Sequence, residues 1–134
     1  MVQGTLAQME NKTALDTSVC IEVIKGNSFL LQALRFEGEQ LPFISSVTVF
    51  ELGLRKTNLA EVDSFILDTA VLDFDEKAAK IASEIEKDLS RRGELIDRPD
   101  IFIAATAMAN DCELATLNTK DFSKIKGLRI LKLR

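Results

Sequence analysis

Thr13-Ala14-Leu15-Asp16-Thr17-Ser18-Val19-Cys20-Ile21 is the stretch on which the fold turns. Its first three residues form a short apolar run of strand character, and the aspartate ends it. Thr17 and Ser18 then offer hydroxyl caps for a helix through Val19, Ile21, Val23 and Ile24. Gly26 stops that helix. The chain thus passes from strand to helix at a single acidic residue.

The same alternation continues downstream. Leu30, Leu31 and Leu34 stand at helical spacing within 29–36, and Gly38 closes that helix. Residues 42–46 read as a strand, after which Ser45 or Ser46 caps a helix through Val47, Phe50, Leu52 and Leu54 that carries Glu51 about one turn inside its start. Lys56-Thr57-Asn58 marks its end. A helix is expected over 59–66 and a strand over 70–74. Asp75 then caps a long amphipathic helix over 76–90, with Ala79, Ile81, Ala82, Ile85 and Leu89 along it. Pro99 suits the first position of a helix over 100–109, whose dense small and apolar residues imply burial on nearly all sides. Residues 114–117 and 128–131 supply two late strands. This pattern predicts a three-layer α/β/α sandwich with a mostly parallel central sheet. Residues 1–11 read as a loose leader and 12–134 as one domain, since 134 residues with 46% hydrophobic side chains suit one core of ordinary size.

Composition narrows the chemistry. The chain has no histidine, so it lacks the usual general base near neutral pH and the commonest transition-metal ligand. Carboxylates remain, and oxygen ligands suit hard cations such as Mg²⁺ and Mn²⁺. A net charge of −4 argues against a surface coated for nonspecific polyanion binding, while leaving room for a local basic rim. With no Trp or Tyr and eight Phe, broad stacking on unpaired bases is not the main recognition device. Cys20 and Cys112 sit in apolar stretches without a CxxC partner and read as buried free thiols. No apolar run approaches the roughly 20 residues that span a bilayer, so a cytoplasmic protein without membrane contact is expected.

Four acids stand beside core elements: Asp16 past the first strand, Glu51 on an otherwise apolar helix, Asp100 at the head of a buried helix, and Asp121 after a late strand. Each has a plain structural use as well. Asp16 can cap the following helix, Asp100 complements a helix dipole, and Asp121 can start a turn. Together at one end of the sheet they would repel one another, and a divalent ion relieves that repulsion. Two such ions about 4 Å apart can activate water and stabilise the leaving oxygen of a phosphodiester.

Four blocks carry a family likeness: Leu15-Asp16-Thr17-Ser18-Val19; Ser45-Ser46-Val47-Thr48-Val49-Phe50-Glu51-Leu52; Asp100-Ile101-Phe102-Ile103-Ala104-Ala105-Thr106-Ala107; and Ala115-Thr116-Leu117-Asn118-Thr119-Lys120-Asp121-Phe122. In this order they resemble the signature blocks of bacterial and archaeal PIN domains. The resemblance runs from Leu15 through the closing Gly127-Leu128-Arg129, and is nearest to the VapC toxins of VapBC toxin–antitoxin pairs. It implies a metal-dependent endoribonuclease in which Asp16 and Asp100 are the firmest ligands of Mg²⁺ or Mn²⁺, with Glu51 a third acid and Asp121 a fourth. Some PIN domains place the fourth acid two residues after the threonine, where Asn118 stands here. Thr17, Thr116 and Asn118 become residues that orient the ligands or the substrate, and Asp97 is either an accessory acid or a solvated loop residue. The implied reaction is in-line hydrolysis of RNA that leaves a 5′-phosphate with no covalent enzyme intermediate. Implied partners are the RNA substrate, a VapB-like antitoxin whose tail enters the acidic site, and a second copy in a homodimer. Phe29, Leu30 and Phe36 are candidates for such a surface, or for the core. Arg35, Arg55, Lys56, Arg91, Arg92, Lys120 and Lys124 are the cations available to an RNA backbone.

Rival readings lack their second feature. Haloacid-dehalogenase-like phosphatases want an aspartate at position 18, which is serine, and response-regulator receivers want an acidic pair that is absent. A PIN nuclease of RNA processing outside any toxin pair, or a non-catalytic PIN module for binding, are the remaining alternatives. Retention of all four acids favours activity over the binding module.

Overall fold

Five strands form one sheet in the order β3-β2-β1-β4-β5, and every neighbouring pair is parallel. The computed structural model describes residues 12–34, 41–131 and 133. The strands are β1 (Thr13–Leu15), β2 (Phe43–Ser45), β3 (Ala70–Leu72), β4 (Glu113–Ala115) and β5 (Ile130–Leu131). The described helices are α1 (Thr17–Ile24), α2 (Ser28–Leu34), α3 (Ser46–Gly53), α4 (Leu59–Leu67), α5 (Glu76–Arg92), α6 (Arg98–Ala109) and α7 (Thr119–Phe122). The strands are shorter than the sequence pattern suggested at 42–46, 70–74, 114–117 and 128–131, because a parallel ladder lasts only where both neighbours stay in register. The expected leader, 1–11, and the expected end of the second helix with Phe36 and Gly38 lie outside the described residues.

Side chains alternate across a strand, and here the alternation divides two cores. Ala14 and Leu114 point into one, with Ala82, Ile85 and Leu89 of α5, Ile101, Ile103 and Ala104 of α6, and Phe122. Leu15, Ile44 and Ala115 point into the other, with Val19 and Cys20 of α1, Leu30 and Leu34 of α2, Leu52 of α3 and Val62 of α4. Helices therefore cover both faces, the α/β/α sandwich that the sequence implies. Cys20 and Cys112 are buried free thiols.

Local signals explain the element ends. Ser45 rather than Ser46 caps α3, accepting from the Val47 N–H at 3.0 Å, while the Ser46 hydroxyl accepts from the Phe74 N–H at 3.0 Å. Asp75 caps α5 by accepting from Ala78 at 3.0 Å. Gly93 closes α5 with a φ of 69°, a left-handed conformation that costs glycine little. Pro99 lies in the first turn of α6, which begins one residue earlier at Arg98 with Asp97 as its cap position.

The connections run β1 to β2 to β3 outward on one side of the sheet, then return to place β4 and β5 on the other side of β1. The strand order reverses between β1 and β4. In parallel α/β sheets that reversal opens a crevice beyond the carboxyl ends of the strands. Asp16 follows β1 there and Thr116 follows β4.

Candidate active site

Asp16 sits at that crevice and is 3% exposed. Its backbone N–H donates to the Ala115 carbonyl at 3.0 Å, which continues the β1–β4 ladder one residue past the strand. The carboxylate is held from both sides. Oδ1 accepts from the Ser18 hydroxyl at 2.7 Å and from the Val19 N–H at 3.0 Å, and Oδ2 accepts from the Thr116 hydroxyl. Asp16 is thus the α1 cap and a site residue at once. Burial pushes its pKa above the ordinary carboxylate value, and the Thr116, Ser18 and Val19 hydrogen bonds oppose that rise.

Thr17 faces the third acid. Its hydroxyl donates to Glu51 Oε1 at 2.5 Å and lies 3.1 Å from the Thr48 hydroxyl. Glu51 and Thr48 are three apart on α3 and share a face, so one threonine ties α1 to α3 at the site. Helix α3 is less enclosed than its composition suggests. Phe50 and Leu54 are 64% and 63% exposed, and the apolar residues flanking Glu51 do not bury it.

Asp100 lies in the first turn of α6 and is partly buried. No described residue donates a hydrogen bond to its carboxylate. Its pKa is pushed up to about 6, first by burial and then by the charges of Asp16, Glu51, Asp97 and Asp121. Four acids from four segments of the chain therefore act on one carboxyl. Asp97 is exposed and caps α6 without a side-chain hydrogen bond, so it contributes charge from the rim.

The fourth corner is the start of α7. The Thr116 hydroxyl accepts from the Asn118 N–H at 2.9 Å while donating to Asp16. Asn118 Nδ2 donates to Asp121 Oδ2 at 3.1 Å, and Lys124 Nζ reaches Asp121 Oδ1 at 3.3 Å. These bonds hold the Asp121 carboxyl below the usual range. Asp121 and Asn118, alternatives for one position on sequence grounds, are hydrogen-bonded to each other.

Ser18, expected only as a helix cap, bonds Asp16, and Thr48, which the sequence reading did not single out, meets the Thr17 hydroxyl that bonds Glu51. A hydroxyl two residues after a strand-ending aspartate is the signal that could have found Ser18, since that is where a capping carboxylate meets the first helical turn. The basic candidates divide. Arg92 bonds Asp88 at 2.7 Å, Glu94 and the Lys124 carbonyl at 2.6 Å, and Arg91 bonds Asp88 at 3.0 Å, so both are occupied on α5. Lys124 is at the site. Arg35 lies outside the described residues.

Among the described residues, no three Asp, Glu, Cys or His side chains stand close enough to hold one metal ion as they are placed. The donor set nevertheless fits a hard divalent cation. It consists of oxygens alone, one carboxylate has no donor among the described residues, and burial followed by its acidic neighbours raises its proton affinity. Like charges left unscreened separate, and a cation would draw them together.

The PIN domain family model matches residues 13–128. The chain belongs to the PIN-domain family. Within it, the relatives are VapC ribonucleases. It is 36% identical to the tRNA(fMet)-specific endonuclease VapC of Shigella flexneri over 126 residues, covering 88% of this chain and 95% of that one. It is 32% identical to ribonuclease VapC2 of Haemophilus influenzae over 125 residues, covering 88% and 95%. Among solved structures, the DNA-bound VapBC of Salmonella typhimurium matches with a TM-score of 0.76 at 34% identity, over 92% of this chain and 99% of that one. The VapBC2 of Rickettsia felis, bound to a DNA fragment from its promoter, matches with a TM-score of 0.73 at 25% identity, over 89% and 96%.

Proposed function

We propose that this chain is the toxin of a toxin–antitoxin pair, a cytoplasmic endoribonuclease that hydrolyses RNA phosphodiesters with Mg²⁺ or Mn²⁺ held by Asp16, Glu51, Asp100 and Asp121. The observation that carries this reading is the Asp100 carboxyl, lifted to about 6 amid four other acids and bonded to no described donor. A divalent ion at such a cluster, when bound, activates water and stabilises charge on the phosphodiester oxygens. The chain's own residues prepare for it. Ser18, Val19 and Thr116 fix the rotamer of Asp16, Thr17 fixes Glu51, and Asn118 fixes Asp121. With no histidine in the sequence, proton movement falls to water and to these carboxylates.

Partners follow from the surface and from the relatives. Phe29 and Leu31 on α2 and Phe50 and Leu54 on α3 are at least half exposed, whereas Leu30 belongs to the core. Apolar side chains exposed in this number suit a second copy of the chain and a VapB-like antitoxin. Among the described residues, no helix is long and apolar enough to cross a membrane.

The decisive experiment is cleavage of RNA by the purified chain in Mn²⁺, with and without excess chelator. Chelation and Asp100→Asn should each reduce cleavage at least about a hundredfold, as expected when an essential catalytic group is lost. Undiminished cleavage in chelator would remove the basis of the proposal. Co-purification with an antitoxin encoded beside this chain tests the toxin assignment, and light scattering at micromolar concentration tests the dimer.

A further inference from the structure

A cluster of four carboxylates must admit a polyanion, and divalent ions held among them would leave the incoming backbone to be met at the edge of the cluster. Two of the cations that the sequence offered for that purpose are engaged on α5. Arg91 and Arg92 are committed to Asp88, and Arg98 forms a two-pronged pair with Glu86 at 2.7 and 2.9 Å. Lys124 differs, because its ammonium rests on one of the four acids, 3.3 Å from Asp121 Oδ1.

Two further features mark it. An ammonium has three donors and Asp121 takes one, so two remain for an oxygen-rich ligand. The side chain is 25% exposed, open enough to be reached yet held by its surroundings. Its backbone is fixed as well: the Arg92 guanidinium donates to the Lys124 carbonyl at 2.6 Å while binding Asp88 of α5. The Lys124 N–H donates to the Asp121 carbonyl at 3.1 Å, which closes the turn after α7. A lysine with a clamped backbone, a shared ammonium and a carboxylate partner in the acid cluster has the properties of a phosphate anchor.

We infer that Lys124 is a substrate-contacting residue that binds a phosphate of the RNA backbone as the strand enters the acidic pocket, with Asp121 and Arg92 as its positioning residues. This rests on the ribonuclease reading above and adds to it the residue that meets the substrate. The Lys124–Asp121 pair opens a donor to the phosphate without breaking, so the fourth acid remains charged beside the other three.

The test uses the full chain carrying Asp100→Asn, so that a single-stranded RNA oligonucleotide is bound and not cut. Affinity is measured over a range of NaCl concentrations. One lost phosphate contact lowers the magnitude of the slope of log K against log salt by about 0.7 for single strands. Lys124→Gln should show that drop with a several-fold weaker affinity, and Lys124→Arg, which keeps the charge, should keep the slope. Lys126→Gln is the control, since Lys126 is an exposed cation 3.9 Å from Asp88 on α5 and should leave the slope alone. Thermal midpoints verify that the variants fold. A slope unchanged by Lys124→Gln, or lowered equally by Lys126→Gln, overturns the assignment while leaving the ribonuclease reading intact. If the otherwise unaltered chain neither binds nor cuts RNA, both fall together.

Discussion

Thr116 donates its hydroxyl to Oδ2 of Asp16 across 100 residues of sequence, and so joins the ends of the two strands between which the sheet order reverses. Both residues are nearly inaccessible, at 2% and 3% exposure. The bond is therefore buried, and it can be removed with little change of shape.

Thr116→Val keeps the volume and loses the donor. It leaves a buried carboxylate oxygen with one partner fewer, which should cost about 1–3 kcal/mol of unfolding free energy. Urea denaturation in chelator measures it. A variant as stable as the parent would mean that water replaces the hydroxyl there.

Asp100 gives a pH signature whose sign is opposite to that of a salt-bridged acid. Its pKa is raised from 3.8 to about 6 in the fold, so between those values the native state holds more protons than the unfolded chain. The Asp100 contribution to stability in chelator should therefore be full below pH 4 and decline as pH rises to about 6. Asp100→Asn should remove its own share of that decline, leaving the share of Asp16, whose pKa is also raised, and make the protein more stable at pH 7 by about 1–2 kcal/mol, after allowance for solvent screening of a half-buried group. Melting curves of both proteins at pH 4 and pH 7 decide it, and a variant less stable at both would contradict the charge crowding described above.

Thr17→Val should weaken Mn²⁺ binding by about 10–100-fold, because Glu51 loses the hydroxyl that orients it. Thr17→Ser should restore the affinity. Calorimetric titration with Mn²⁺ alone reads this without reference to turnover, and equal affinities for all three proteins would deny Thr17 an orienting role.

Asp75→Ala removes the cap from the longest helix and should cost about 1 kcal/mol with no effect on cleavage. A denaturant midpoint that does not move would show the cap to be replaceable by water.

The success of sequence reading here has identifiable sources. Leu15-Asp16, Ser45, Asp75 and Pro99 each sit where one local interaction decides the end of an element, and such interactions reach only three or four residues along the chain. Strand lengths were less legible, since a parallel strand ends where its neighbour does, and the neighbour is distant in sequence. Within the site, the acids could be named, and Thr17, Thr116 and Asn118 through the resemblance, but not which acid each of them meets. The Arg92 pair with Asp88 is an i, i+4 contact within α5, whereas its bond to the Lys124 carbonyl joins residues 32 apart and has no local signal. Phe50 and Leu54 look like core in the sequence and are exposed, because α3 is eight residues long and packs through Thr48 and Leu52 on its opposite side.

The placement of β1 between β2 and β4 has a bearing on the life of the chain before it is finished. Asp16 is synthesised early, but the threonine that clamps it follows 100 residues later, and the lysine paired with Asp121 later still. A ribosome carrying this nascent polypeptide holds an incomplete pocket until Thr116 through Lys124 have left the exit tunnel.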